Sequence, residues 1–114
     1  MLASDRYVSL AVMDDGCVDA SLTIRRRLAI FIFDRFAAVS ITDNASVIFG
    51  GSDAPTALGC LYSIGGISMA SNGQIQTAVT DQLEAFGVAE ERIYINFFDM
   101  DRANVGWSRR TFAG

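Results

Sequence analysis

The chain has 114 residues, 51% of them hydrophobic and 19% charged, with a formal net charge of -4. This length and composition predict a single folded domain and disfavour a disordered chain. The acidic balance disfavours nucleic-acid binding, and no apolar run reaches the roughly 18 residues needed to span a membrane. The one basic cluster, residues 25–27, fits a solvated helix face better than a patch for an anion or partner.

The chain contains no histidine and two cysteines, Cys17 and Cys60. The absence of histidine excludes Ser-His and Cys-His nucleophilic sites and His-ligated zinc. The two cysteines have neither C-x-x-C nor metal-ligand spacing, so we expect free thiols, no metal and no cofactor. The first residues lack the pattern of a secretory signal, which predicts a cytoplasmic protein whose release, if it occurs, uses no signal peptide.

In the first part of the chain the pattern predicts a strand, a helix and a second strand. Residues 7–13 are rich in β-branched and aromatic side chains and lead into an Asp-Asp-Gly turn. Asp19 can cap a helix that runs to about Asp34, although the segment "LAIFIF" fits a buried strand equally well. Residues 37–42 predict the second strand.

The second part repeats this order after residues 50–55, the most turn-like stretch of the chain. Residues 56–64 predict a third strand. From Asn72 the apolar residues recur at helical spacing up to a stop at Gly87. Those apolar positions are Ile75, Val79, Leu83 and Phe86. Residues 93–98 then alternate as a strand with large side chains on both faces.

The whole order is an α+β pattern built from a repeated βαβ unit. It predicts one domain over residues 1–114, in which residues 1–6 form an extension, with a four-stranded sheet and two helices on one face. The other face of the sheet would be bare. Since the charged fraction is low for a small monomer, we expect another subunit to cover that face.

Four ordered segments carry a family resemblance: "FGGSDAP" (49–55), "SIGGI" (63–67), "RIYINFFDM" (92–100), and "NVGW" followed by "TF" (104–112). In these segments the chain resembles the macrophage migration inhibitory factor family of the tautomerase superfamily. The resemblance implies a homotrimer around a central channel, with the C-terminal segment of each chain extending a neighbour's sheet. It also implies keto-enol tautomerisation of phenylpyruvate- or dopachrome-like substrates, which are small aromatic acids.

The resemblance further implies a substrate pocket. The matching positions are Ser63, Ile64, Tyr94, Asn96, Val105, Trp107 and Phe112. In the family, the residues matched by Tyr94 and Asn96 come from an adjacent subunit. Ordinary packing also explains most positions, because Ile64 and Val105 suit a core and Trp107 suits an interface. Only Asn96 is hard to explain by burial.

The chain departs from the family at the catalytic position. The family's base is an amino-terminal proline whose amine stays neutral in a cation-lined pocket of low dielectric. This sequence begins Met1-Leu2, and its only proline is Pro55. A proline nitrogen inside a peptide bond has no basic lone pair, so no catalytic residue is assigned. Arg35 either replaces the family's carboxylate-binding lysine or is a surface arginine at a helix end.

Three hypotheses remain open from the sequence. The first is a tautomerase-fold trimer with weak or absent tautomerase activity. The second is a cytokine-like protein that binds a protein receptor through the trimer surface. The third is an active tautomerase whose native amino terminus differs from the one printed and carries the proline. Thiol chemistry is not supported, because Cys60 has no close second cysteine.

Overall fold

The computed structural model of the chain describes residues 6–13, 38–43 and 47–114. These residues form a four-stranded sheet, an α-helix and a short C-terminal hairpin. The helix predicted between Asp19 and Asp34 lies outside the described residues, and so do Cys17 and Arg35. The α+β class expected from the sequence is therefore seen in the second βαβ unit.

The sheet has the strand order β2-β1-β3-β4. Its strands are β1 (Arg6–Met13), β2 (Ala38–Asp43), β3 (Thr56–Ser63) and β4 (Ile93–Asp99). β1 pairs parallel with β2 and antiparallel with β3, and β3 pairs parallel with β4. All four lie within one residue of the predicted bounds, and Arg6 belongs to β1 rather than to the predicted extension.

The connection between the parallel strands β3 and β4 carries the helix α1 (Met69–Glu84). The helix begins one turn before the predicted start at Asn72. The reason is Ser68, whose Oγ accepts the backbone N–H of Ser71 at 3.1 Å and caps the helix. The predicted start was wrong because the first turn has no buried apolar residue, so hydrophobic periodicity could not mark it.

The predicted stop at Gly87 is confirmed. The Gly87 N–H donates to the Glu84 carbonyl at 3.0 Å, and the Val88 N–H donates to the Leu83 carbonyl at 3.3 Å. This is the hydrogen-bond pattern of a Schellman motif, in which a glycine takes the left-handed conformation, and Gly87 has a φ of 86°. Leu83 and Val88 are both buried in the core, so the motif also turns the chain toward β4.

The core lies between α1 and one face of the β3–β4 pair. Its buried members are Ala57, Leu61, Ile75, Val79, Leu83, Val88 and Ile93. Three of them, Ile75, Val79 and Leu83, recur along α1 at four-residue spacing, which confirms the predicted amphipathic helix.

On β3 and β4 the opposite face of the sheet is open in the single chain. Leu58, Tyr94 and Phe98 are 39%, 59% and 43% exposed. Tyr62 stacks on Phe98 with ring centroids 4.8 Å apart. We call this surface the open face. It carries the large side chains on the second face of β4 that the sequence predicted.

Arg92 fastens the loop before β3 to the start of β4. Its guanidinium donates four hydrogen bonds to backbone carbonyls: Nε to Pro55 (3.0 Å), Nη1 to Phe49 (3.2 Å), and Nη2 to Ser52 (3.1 Å) and Ala54 (3.0 Å). The Thr56 hydroxyl donates back to the Arg92 carbonyl at 2.7 Å. A loop and a strand 37 to 43 positions apart in sequence are thereby joined through one side chain.

The loop that Arg92 holds is itself ordered by a tight turn. Phe49 and Ser52 exchange two backbone hydrogen bonds of 3.0 and 3.1 Å. Gly50 and Gly51 between them have φ values of 58° and 76°. Positive φ at both central residues is the requirement of a type I′ turn, which glycine meets without steric strain.

We expect Arg92→Lys to lower the free energy of unfolding by about 2 kcal/mol, because an ammonium cannot span four carbonyls and hydrogen bonds from charged donors contribute about 1.5 to 3 kcal/mol each. Urea unfolding at fixed protein concentration measures the change. Arg109→Lys, at an exposed residue of the C-terminal hairpin, is the matched control and should change the free energy of unfolding by less than about 0.5 kcal/mol. Equal effects of the two variants would contradict the role given to Arg92.

Two glycine-to-alanine substitutions should change the stability of the protein in opposite directions. A Cβ on either Gly73 or Gly87 would meet no atom within 4 Å, so only backbone conformation separates the two positions. Gly73→Ala in α1 should stabilise the protein by about 1 kcal/mol. Gly87→Ala should destabilise it by about 1 kcal/mol, because alanine is disfavoured at a φ of 86°. Thermal unfolding of the two variants measures both changes in stability. Stabilisation by Gly87→Ala would contradict the Schellman motif assigned at Gly87.

Candidate functional site

Ser63 and Ile64, which we call the Ser63 group, lie at the end of β3. Ser63 is fully buried, and its Oγ donates to the Gly65 carbonyl at 2.6 Å. The Gly65 N–H donates to Oδ1 of Asp99 at 3.1 Å, and the Met100 N–H donates to the Ser63 carbonyl at 2.8 Å. The backbone of this segment is therefore fixed to the end of β4. Ile64 is only 4% exposed, and contact of its side chain with a ligand stays a prediction.

Tyr94 and Asn96, which we call the Tyr94 group, lie in the first half of β4 on the open face. The Tyr94 ring lies 5.0 Å from the Phe49 ring at an interplanar angle of 52°. Phe49 in turn lies under the Arg92 guanidinium, 5.1 Å from its ring centroid. Asn96 is exposed and pairs in register with Cys60. The amide of Asn96 can donate and accept hydrogen bonds at the open face.

Within a single chain, Tyr94 lies far from the Ser63 group, while Asn96 is about 10 Å along the strand from the β4 end that holds this group. Asp99 is the register partner of Ser63 and lies five positions after Tyr94 in β4. At about 3.3 Å per residue, Tyr94 and Asp99 are about 17 Å apart along the strand. A ligand that contacts Tyr94 and the Ser63 group together must therefore receive one of them from another copy of the chain.

The three predicted rim residues lie in the C-terminal hairpin. Its strands are β5 (Gly106–Trp107) and β6 (Arg110–Thr111), joined by a two-residue turn. The turn residues Ser108 and Arg109 have φ values of 52° and 65°, which again indicates a type I′ turn. The hairpin is a separate two-stranded sheet and does not extend the four-stranded sheet of its own chain.

One face of this hairpin gathers the rim residues. Trp107 and Phe112 stack with ring centroids 5.8 Å apart and an interplanar angle of 21°. The Phe112 N–H donates to the Val105 carbonyl at 3.1 Å, and alternation places Val105 on the same side as Trp107. Arg110 is the cross-strand partner of Trp107, and its guanidinium lies 5.9 Å from the centre of the tryptophan ring system. We call Val105, Trp107, Arg110 and Phe112 the hairpin face.

Two residues of these groups were not predicted from the sequence. Arg110 was detectable, because a two-residue turn between Trp107 and Arg110 places them opposite each other. Phe49 was not, because its contact with Tyr94 depends on the long-range hydrogen bonds of Arg92. Arg35, the remaining predicted site residue, lies outside the described residues.

The described residues also line two depressions on the helix side of the sheet, away from these groups. One of about 760 Å³ lies against α1. The other, of about 380 Å³, is lined in part by Asp81, Glu84, Glu90 and Glu91. Within the described ranges, no group of three or more His, Cys, Asp or Glu could hold a metal ion. None of the helices in this part of the chain is long and apolar enough to cross a bilayer.

Comparison with known proteins agrees with this architecture. The family model described as macrophage migration inhibitory factor (MIF) matches residues 32–113. The macrophage migration inhibitory factor of Meriones unguiculatus is 39% identical over 80 residues, which are 69% of this chain and 70% of that protein. The homolog from Trichinella spiralis is 37% identical over 78 residues, 68% of each chain.

The solved structure of the Trichinella spiralis protein superposes with a TM-score of 0.77 at 28% identity, covering 93% of this chain and 99% of that one. The described residues therefore share the fold of that solved structure. Because the family model spans more than half of the chain and the relatives exceed 30% identity over more than two thirds of it, the chain belongs to the macrophage migration inhibitory factor family.

Proposed function

We propose that the protein is a homotrimer whose subunits jointly form pockets for a small aromatic keto or enol acid, and that its tautomerase activity is weak or absent. The observation that carries the proposal is the separation of about 17 Å between Tyr94 and the β4 end that holds the Ser63 group. A pocket that uses both groups has to be shared between copies.

The open face supports association of copies. Leu58, Tyr94 and Phe98 present large apolar or aromatic surface on one side of the β3–β4 pair, and each is more than a third exposed. Contiguous apolar surface of this kind is characteristic of interfaces. The hairpin supports it as well, because its strands pair only with each other within the described residues and keep an outer edge available to a neighbour's sheet.

Weak or absent catalysis follows from the missing base. Pro55 is the only proline in the printed sequence, and its carbonyl is bound by Nε of Arg92. Its nitrogen is part of a peptide bond and cannot accept a proton from a substrate carbon. With no histidine in the chain, neither of the two commonest solutions for this chemistry is present.

We expect Leu58→Glu to dissociate the trimer, because a carboxylate in an apolar interface loses its hydration without a partner. Analytical ultracentrifugation should show association weakened at least about a hundredfold, and binding of phenylpyruvate should be lost with it. Met69→Glu, at a helix residue that is 92% exposed, is the matched control and should retain both properties.

The same preparation tests catalysis. Wild-type protein should bind phenylpyruvate, while the enolisation of phenylpyruvate proceeds near the uncatalysed rate.

Phenylpyruvate binding by monomeric Leu58→Glu at wild-type affinity would contradict the shared pocket. Turnover comparable to active tautomerases would contradict the loss of the base.

A further inference from the structure

The hairpin face combines an aromatic pair with one cation. Trp107 is 44% exposed and stacks on Phe112, so the pair offers a flat apolar surface at the edge of the chain. Arg110 lies across β5 from Trp107 and over its ring system at 5.9 Å. Among the described residues, Arg110 forms no ion pair with a carboxylate. In the described part of the chain, the charge therefore lies beside an aromatic surface and no carboxylate is paired with it.

We propose that Arg110 binds the carboxylate of the small aromatic acid while the ring of that acid packs against Trp107 and Phe112. This inference rests on the proposed function and names the residue of the shared pocket that selects for a negative charge. Arg35, which precedes β2 in the sequence, was the candidate for the family's carboxylate-binding cation, with a surface arginine as the alternative. Arg110 supplies a cation from the opposite end of the sequence.

The geometry suits a carboxylate for two reasons. A guanidinium is planar and carries several N–H donors in that plane, and its distance of 5.9 Å from the Trp107 ring centroid places these donors next to the aromatic pair. A carboxylate accepts two of these N–H groups in parallel, which makes the pair stronger and more directional than a single hydrogen bond. An aromatic acid has the matching arrangement of a ring and an adjacent carboxylate.

Arg109 is adjacent in sequence but differently placed. It is the second residue of the turn, with a φ of 65°, and it is exposed. Arg110 instead belongs to β6 and is held in register opposite Trp107. Substitution of Arg110 removes a cation held beside Trp107, whereas substitution of Arg109 removes an equal charge from the exposed turn. Comparing the two variants distinguishes a positioned cation from a general effect of positive charge.

The test uses the indole N–H signal of Trp107, the single tryptophan of the chain, in an NMR titration of the full-length protein. The probes are phenylpyruvate and its methyl ester, which lacks the charge. Arg110→Gln should weaken phenylpyruvate binding about tenfold, the effect expected for loss of a charge-assisted pair, and should leave ester binding unchanged. Arg110→Lys should recover part of the loss, and Arg109→Gln should stay within about twofold of wild type.

The outcomes separate this inference from the proposed function. Equal weakening by Arg109→Gln and Arg110→Gln would overturn the inference, because the effect would then be general electrostatics. Equal weakening of acid and ester by Arg110→Gln would also overturn it, because Arg110 would then act by packing alone. In both cases the shared pocket stands. If the wild-type signal responds to neither probe, the proposed function fails and the inference fails with it.

Discussion

The hydrogen bonds from the Arg92 guanidinium to four backbone carbonyls are the interaction on which the arrangement of the 49–56 loop, β3 and β4 depends. Carbonyls of a loop lack the regular partners of a helix or sheet, so turns, side chains or water have to bond them. Arg92 bonds four of them from the residue immediately before β4, and two of these, the carbonyls of Phe49 and Ser52, also accept each other's backbone N–H. The loop that leads into β3 is thereby attached to the start of the neighbouring strand.

Two consequences follow from that attachment. Phe49 is held between the guanidinium and the Tyr94 ring, so the Tyr94 group is supported by a packed aromatic residue. The first residues of β3 and β4 are also held side by side, because the Thr56 hydroxyl donates to the Arg92 carbonyl. The parallel register then places the Ser63 group at the far end of the sheet. The parallel register and the length of β4 thus separate Tyr94 from the Ser63 group within each chain.

The strands could be predicted from sequence because alternation and turn residues are local signals. β3 and β4 have a period of two and end at glycines or charged residues, and their observed bounds differ little from the predicted ones. The start of α1 could not, because Ser68 marks it by a capping hydrogen bond rather than by hydrophobicity. Trp107 and Phe112 were named together by the family resemblance, and the hairpin that joins them was not predicted from local signals.

The site was less predictable than the fold because most of its geometry is long-range. Phe49 reaches Tyr94 only through hydrogen bonds that span more than 35 positions. The family resemblance implies that Tyr94 and Asn96 contact the pocket of an adjacent subunit. The distance along β4 between Tyr94 and the Ser63 group gives a physical reason for placing these two parts of a pocket on different chains. Arg110 is not among the site positions that the resemblance implies, and its cross-strand pairing with Trp107 is what marks it.

The central claim is that a complete pocket takes its residues from two copies of the chain. It is tested most directly by mixing two variants, Asn96→Trp and Phe112→Glu, each of which should abolish phenylpyruvate binding alone. After co-refolding, an interface between an intact Tyr94 group and an intact hairpin face should form in about a quarter of the sites of a randomly mixed trimer. Ligand-observed NMR should then show binding restored to about that fraction of wild type. If the mixture binds no more phenylpyruvate than the two variants measured separately, the Tyr94 group and the hairpin face of one pocket come from the same chain, and this division of the pocket between copies is wrong.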